Sequence, residues 1–276
     1  MLINCKGTLI DLSSPKVMGV INLNTDSFYS ESRVTGVQAL INKVAHMSEE
    51  GADFIDLGFM SSKPGSEISD PQTETLVIGQ SVKAILDQFP EVLISVDTIH
   101  ADVAAVSLEA GAAMINDISA GTHDDQMWEI VKEFRAPYVM MHMRGNPQNM
   151  QSLAQYEDVV MDVLRYLAAQ RNAAIDFGIN DVIIDPGFGF AKTIDQNFEL
   201  LNKLAAFKMI EAPILVGISR KSMIYKTLNT GAQDALTGTI ALNFGALERG
   251  ANILRVHDVK EAKQTIKLFE KLNEFN

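Results

Sequence analysis

Eight short apolar runs rich in β-branched residues recur along the chain, each leading through a polar residue or glycine into a stretch of helical periodicity. The runs are Val17–Leu23, Phe54–Leu57, Leu93–Val96, Met114–Ile115, Tyr138–Met141, Val182–Ile184, Ile214–Val216 and Ile253–Val256. Helical stretches cover 36–50, 72–88, 101–110, 124–134, 157–177, 195–208, 220–248 (interrupted) and 259–272. Strands buried on both faces read as continuous apolar runs, and strict β-α alternation implies a parallel sheet. Eight such units close on themselves, so the expected fold is α/β, a (β/α)8 TIM barrel; a doubly wound open sheet is the runner-up. Leu2–Leu12, with Gly7 in its middle, reads as an N-terminal hairpin that covers the barrel floor. The 276 residues match the size of one barrel, and no repeat or charge run marks a second domain, so a single domain over 1–276 is expected.

A hydrophobic share of 47% supports a full core, while a net charge of -12 argues against nucleic acid or an anionic membrane as partner. An anionic substrate therefore has to meet locally concentrated basic residues. No apolar run approaches the ~18 to 20 residues that span a bilayer, and Met1–Asp11 carries none of the marks of a secretory leader. A cytoplasmic location is expected. The single cysteine, Cys5, has no partner for an internal disulfide and reads as small apolar filler.

In a barrel of this kind the active site lies where the strands end. The residues there are nearly all polar: Asn22, Asp56, Asp97, Asn116 with Asp117, His142, Asp185, the Ser219-Arg220-Lys221 group, and Arg255 with His257. Any one alone could cap a helix or tie a loop, but eight converging on one rim are harder to explain that way. Asp97, Asn116 and Asp185 supply acceptors and one amide, which suits a flat heterocycle bearing several N–H donors, with Lys221 able to donate to a ring oxygen or nitrogen. A carboxylate cluster around a divalent metal is the alternative. Against it, Asp56, Asp97, Asp117 and Asp185 come from strands spaced around the ring, and basic residues share the rim.

Arg220, Lys221, Arg255 and His257 follow the last two strands, where barrels commonly hold a phosphate group. Arg255 could grip an anion bidentately or stack on a planar ring, and His257 could donate to the same anion. Rim salt bridges are the plain alternative, and a Schiff base on Lys221 is a minor one. Pro186-Gly187-Phe188-Gly189-Phe190-Ala191-Lys192-Thr193 looks like a Walker loop but lacks glycine at Pro186 and Ala191. It reads instead as a glycine-rich turn that lets Asp185 face the pocket and presents Phe190 as an aromatic wall. His142 fits a packing role as well as a catalytic one, and the methionines around it read as core or pocket lining.

Several segments together resemble the dihydropteroate synthases, pterin-binding (β/α)8 barrels, over nearly the whole chain. They are Met18–Asn22, Asp26-Ser27-Phe28, Ser95–Thr98, Ile115–Asp117, Met141–Met143 with Gly145-Asn146-Pro147, Asp185–Phe190, Ser219–Ser222 and Arg255–Asp258. The resemblance implies a transferase of folate synthesis that condenses 6-hydroxymethyl-7,8-dihydropterin pyrophosphate with p-aminobenzoate, giving 7,8-dihydropteroate and pyrophosphate. It further implies that Asp97, Asn116, Asp185 and Lys221 hold the pterin and that Arg255 packs against it. Asn22, Arg255 and His257 would handle the pyrophosphate, with Asn22 contributing to Mg²⁺ binding. Phe190, Lys221 and Ser222 would border the aminobenzoate, closed in by loops after the first two strands that carry Phe28 and Ser62. Catalysis is expected from Asp97, Asp185, Lys221, Arg255 and His257, in a homodimer.

Those two loops depart from the family pattern. Asn24-Thr25 stands where the family usually has Thr-Pro, and Ser30-Glu31-Ser32-Arg33 replaces the usual Asp-Gly-Gly. After the second strand, Gly58-Phe59-Met60-Ser61-Ser62-Lys63-Pro64-Gly65 replaces Gly-Gly-Glu-Ser-Thr-Arg-Pro-Gly, so Met60 removes a carboxylate and Lys63 lacks the planar fork of arginine. A folate-dependent barrel methyltransferase shares the pterin-holding residues, but would leave Ser219–Ser222 and Arg255–His257 without a pyrophosphate to bind. A non-catalytic pterin-binding relative is the other rival, resting on the loop departures alone.

Overall fold

The computed structural model describes residues 1–23, 33–59 and 70–275. It opens with a hairpin: β1 (Leu2–Cys5) pairs antiparallel with β2 (Thr8–Asp11). The connection is two residues long, with φ of 53 at Lys6 and 88 at Gly7. Two positive φ values in a row make a turn whose twist matches that of the strands.

The barrel strands follow: β3 (Lys16–Asn22), β4 (Phe54–Gly58), β5 (Ile94–Asp97), β6 (Met114–Asp117), β7 (Tyr138–Met141), β8 (Val182–Asp185), β9 (Leu215–Val216) and β10 (Ile253–Val256). Their order is β8-β7-β6-β5-β4-β3-β10-β9, all parallel, and a parallel bridge from Ile184 to Ile214 joins the two ends. Apart from the pair β3 and β10, where the first barrel strand meets the last, neighbours in the ring are neighbours in the chain. A doubly wound sheet would reverse its order at one point, so the runner-up topology is excluded.

The helices among the described residues are α1 (Arg33–Glu49), α2 (Pro71–Gln88), α3 (Ala101–Glu109), α4 (Met127–Phe134), α5 (Val159–Phe177), α6 (Ile194–Asn202), α7 (Ser222–Thr227), α8 (Leu236–Glu248) and α9 (Val259–Asn273). Two differ from the sequence pattern for local reasons. Asp124 does not begin α4; its carboxylate accepts from Ala101 N at 2.8 Å and Gln126 N at 3.0 Å, so it caps the start of α3 instead. The stretch 195–208 stops as an α-helix at Asn202 and tightens into a 3-10 turn over Leu204–Ile210. No described helix is long and apolar enough to cross a membrane.

Alternation along each strand sorts its side chains. Val17, Ile21, Ile55, Leu57, Val96, Ile115, Met140, Ile184 and Val256 belong to the main core beneath the helices. Gly19 sits in that outward set because α1 and α9 press in: a Cβ there would lie 3.0 Å from Met47 Sδ and from Val259 Cγ2. A second apolar cluster joins Met18, Phe54, Met114, Val139, Ile183, Leu215 and Ile253 to Ile3, Cys5 and Leu12 of the hairpin segment. This is the barrel floor, and the hairpin covers it. Cys5 is fully buried there, and burial pushes its thiol up to about 12, so it is inert filler.

Candidate active site

Two positions beyond the floor residues, the inward side chains change character. Phe54 gives way to Asp56, Met114 to Asn116, Ile183 to Asp185 and Ile253 to Arg255, while Asp97 ends β5. A polar layer thus rests on an apolar floor. Burying charges so deeply is costly unless they pair. Arg255 donates from Nε to Asp56 Oδ2 at 2.7 Å and from Nη2 to Asp97 Oδ2 at 2.6 Å, so one guanidinium bridges two carboxylates. Asn116 Nδ2 donates to the same Asp56 oxygen at 3.3 Å. Among the described residues Arg255 Nη1 has no acceptor. Burial pushes the Asp97 carboxyl up to about 7 against the pull of Arg255, and its Oδ2 lies 3.7 Å from where a Gly58 Cβ would be, as does Asn22 Oδ1.

Asp185 faces the opposite side of the layer. Its Oδ1 accepts from Gly187 N at 2.7 Å, and burial raises its pKa against the charge of Lys221. Lys221, just ahead of α7, donates from Nζ to Phe188 O at 2.5 Å and stands 4.8 Å from the Phe190 ring centroid. Burial pushes its ammonium down to about 8, with Asp185 pulling the other way. Above the layer, Ile99, Ile118, Met141, Met150, Phe190 and Ala191 form an apolar wall. A cavity of about 190 Å³ opens beside it, lined by Ile99, Ile118, Ser119, Thr122, His123, Met143 and Gly145-Asn146-Pro147, so it adjoins the apolar wall and not the charged layer. A layer of convergent acceptors and two cations beneath an apolar wall is suited to a flat, polar-edged ring carrying an anionic group. Ser222 opens α7, and the exposed Asn22 and His257 stand at the rim, with His257 N donating to Ser219 Oγ at 3.2 Å.

The family model for pterin binding enzymes matches residues 18–257. Over 275 residues, 98% of this chain and 96% of the other, it is 39% identical to the dihydropteroate synthase of Escherichia coli (strain K12). The chain belongs to the dihydropteroate synthase family. It is also 38% identical over 262 residues to the Synechocystis dihydropteroate synthase, covering 93% of this chain and 89% of that one. The Yersinia pestis dihydropteroate synthase in complex with a sulfonamide drug superposes at a TM-score of 0.92 with 35% identity, covering 99% of this chain and all 100% of the other. The Xanthomonas albilineans dihydropteroate synthase with 4-aminobenzoic acid superposes at 0.91 with 32% identity, covering 99% of this chain and 98% of the other.

Of the residues the sequence put forward, Asp97, Asn116, Asp185, Lys221 and Arg255 gather in the buried layer at the strand ends, with Phe190 in the wall beside Lys221. Phe28 and Ser62 lie outside the described residues. Three others are occupied elsewhere. Arg220 is locked to Asp258 through Nε and Nη2, both at 2.8 Å, and donates to Ala232 O and Gln233 O, so it clips loops together rather than waiting for an anion. Asp117 points outward, where it accepts from Ser119 N and from Tyr138 Oη at 2.6 Å each. His142 is buried, its Nδ1 3.1 Å from Lys192 Nζ, and burial pushes it down to about 2. Asp56 was among the strand ends without a role; its place two positions after Phe54 is the signal that it belongs to the inward layer. The same step of two from Asp97 and Asn116 gives Ile99 and Ile118 of the wall, apolar residues that carry no polar signal in the sequence.

As for a metal, among the described residues no group of three or more His, Cys, Asp or Glu side chains could hold one. Magnesium rarely needs that: it keeps most of its waters and arrives on substrate phosphates with one or two protein oxygens. Asn22 Oδ1, exposed at the end of β3, is an oxygen of the right kind at the rim.

Proposed function

We propose that this chain is a dihydropteroate synthase of folate synthesis, a transferase that joins 6-hydroxymethyl-7,8-dihydropterin pyrophosphate to p-aminobenzoate. The observation that carries the reading is the buried inward layer at the strand ends that brings Asp97, Asn116 and Asp185 together with Arg255 and Lys221. In the proposal the pterin's N–H groups donate to the two carboxylates and the Asn116 oxygen, Lys221 donates to a ring acceptor, and Arg255 packs against the ring with Nη1 turned to the pyrophosphate. His257 and Asn22 meet the same group from the rim. Mg²⁺ bound to the pyrophosphate, with Asn22 Oδ1 as its protein ligand, would neutralise charge on the leaving group.

The step itself forms one C–N bond and breaks one C–O bond. The neutral aromatic amine attacks the exocyclic carbon, pyrophosphate departs with the bonding pair, and the amine nitrogen sheds a proton. Asp97 and Asp185 favour the transition state by sharing the positive charge that grows on the pterin, while Arg255 and Lys221 offset the charge that grows on the leaving oxygen and the neutral His257 donates a hydrogen bond to it. Phe190 and Ser222 border the aminobenzoate, with Phe28 and Ser62 in the loops that complete its site. The proposal includes a cytoplasmic homodimer whose chain acts as one pterin-binding domain, supported by the family resemblance. Incubating the purified chain with pterin pyrophosphate, Mg²⁺ and labelled aminobenzoate tests the reading: labelled dihydropteroate and an equal amount of pyrophosphate are expected. Pterin binding without product would favour a non-catalytic relative, and methyl transfer from a reduced folate would favour the methyltransferase reading.

A further inference from the structure

Lys192, in the segment that imitates a Walker loop, is almost completely buried, and the mechanism above leaves it unused. Its ammonium donates to Gly187 O at 2.9 Å and Phe190 O at 3.0 Å and meets His142 Nδ1 at 3.1 Å. A longer contact of 3.5 Å reaches His142 O, so all four partners are neutral, and among the described residues no carboxylate lies within ion-pair distance. With Lys192 donating, His142 must accept at Nδ1 and carry its proton on Nε2. Desolvating an ammonium is expensive, and an apolar side chain would fill this space at lower cost unless the tether itself is useful.

What the tether fixes is a turn. Gly187 passes so close to the end of β7 that a Cβ would lie 2.0 Å from His142 O, and Asn197 Oδ1 holds Gly189 N at 2.6 Å. Within the turn the carbonyls of Gly187 and Phe190 go to Lys192, while that of Phe188, between them, goes to Lys221. We infer that Lys192, through its bond to neutral His142, is a positioning residue that sets the Phe190 ring and the Lys221 ammonium for the incoming aminobenzoate. The inference rests on the reading of Phe190 and Lys221 as borders of that substrate's site.

The test compares Lys192→Met with His142→Asn and His142→Leu, since Asn keeps an acceptor where Nδ1 stands and Leu does not. In Lys192→Met and His142→Leu the KM for aminobenzoate should rise on the order of tenfold or more, with affinity for an uncharged pterin changed by less than about threefold, as expected for misplacement of one substrate's contacts. His142→Asn should stay within about threefold of the unmodified chain for both. If Lys192→Met does not fold, the two His142 variants decide. Equal loss for both substrates, no loss for either, or His142→Asn and His142→Leu behaving alike would overturn the inference. Spectra of the chain with ¹⁵N-labelled lysine, recorded at about pH 5.5 because burial pulls Lys192 down to about 7, give a check that needs no turnover: a slowly exchanging side-chain ammonium should be seen that disappears in Lys192→Met, and its absence from the unmodified chain would remove the tether. An unmodified chain that makes no dihydropteroate sinks the functional reading and the aminobenzoate assignment with it; an active chain with unchanged Lys192→Met kinetics sinks this inference alone.

Discussion

Arg255 Nε donates to Asp56 Oδ2 at 2.7 Å, and Asp56 is wholly removed from solvent. That single oxygen also meets Arg255 Nη2 at 2.6 Å and Asn116 Nδ2 at 3.3 Å, while among the described residues Oδ1 has no hydrogen-bond partner. The pair is therefore a charged joint between β4 and β10, two strands apart in the ring, with the guanidinium held where it also reaches Asp97. Four predictions concern this layer and one concerns the loops around it.

Asp56→Ala should unfold more easily by about 3 to 5 kcal/mol, the usual cost of stripping one partner from a buried ion pair. Asp56→Asn retains shape and one acceptor and should lose less. Denaturant titration of both checks this. A destabilisation under about 0.5 kcal/mol in Asp56→Ala would place it with ordinary surface changes and show that Asp97 alone is enough for Arg255.

Arg255→Ala and His257→Ala should weaken pyrophosphate binding more than binding of an uncharged pterin, because Arg255 brings a permanent positive charge and His257, pushed down to about 4 chiefly by burial and so neutral, brings a hydrogen-bond donor for the anion. Calorimetric titration with each ligand measures the difference. Equal weakening of both ligands, or none, would mean that these side chains are structural and that the anion is met elsewhere.

Lys221 has its pKa pushed down from 10.5 to about 8, chiefly by burial. The ammonium is the form that donates, so it is present below that pH and lost above it. The value of kcat/KM for the pterin substrate should accordingly fall as pH rises through about 8. Arginine cannot lose its proton in this range, so Lys221→Arg, though slower overall, should lack that limb. A limb that persists unchanged in the variant belongs to another group.

The loops after β3 and β4 carry Asn24, Thr25, Met60 and Lys63 where the family pattern has other residues. Restoring that pattern with Thr25→Pro, Met60→Glu and Lys63→Arg should change the kinetic constants for aminobenzoate and inhibition by sulfonamides together, leaving those for the pterin unchanged, since a lid orders the second substrate and excludes water. Steady-state kinetics with each substrate varied in turn checks this, and a change confined to the pterin would show the second site to be misplaced.

The barrel was legible because its signal is periodic: eight apolar runs at barrel spacing, each ending on a polar residue, leave little other topology available. The candidate polar layer was legible at Asp97, Asn116, Asp185 and Arg255 for the same reason, since each stands at or beside the end of such a run. What sequence could not supply was direction. Asn116 and Asp117 are adjacent, yet one meets Asp56 in the inward layer and the other meets Tyr138 outside it. Arg220 and Lys221 are adjacent, yet Arg220 adopts φ 54 and closes on Asp258 while Lys221 turns to Phe188. Counting alternate positions from Phe54 and Ile253 would have placed Asp56 opposite Arg255, but the bond between them depends on how β3, β4 and β10 curve together. The Lys192 tether joins residues 50 apart and carries no local signature at all.

The central claim is that the polar layer above the apolar floor binds a pterin, and the most direct measurement is calorimetric titration of an uncharged pterin into the unmodified chain and into Asp185→Ala. Removing the carboxylate leaves ligand donors unpaired in a buried site, at a cost of ~1 to 3 kcal/mol and more beside a charge, so affinity should fall by at least about fivefold in a variant whose circular dichroism is unchanged. Equal affinity in the two folded proteins would contradict the account.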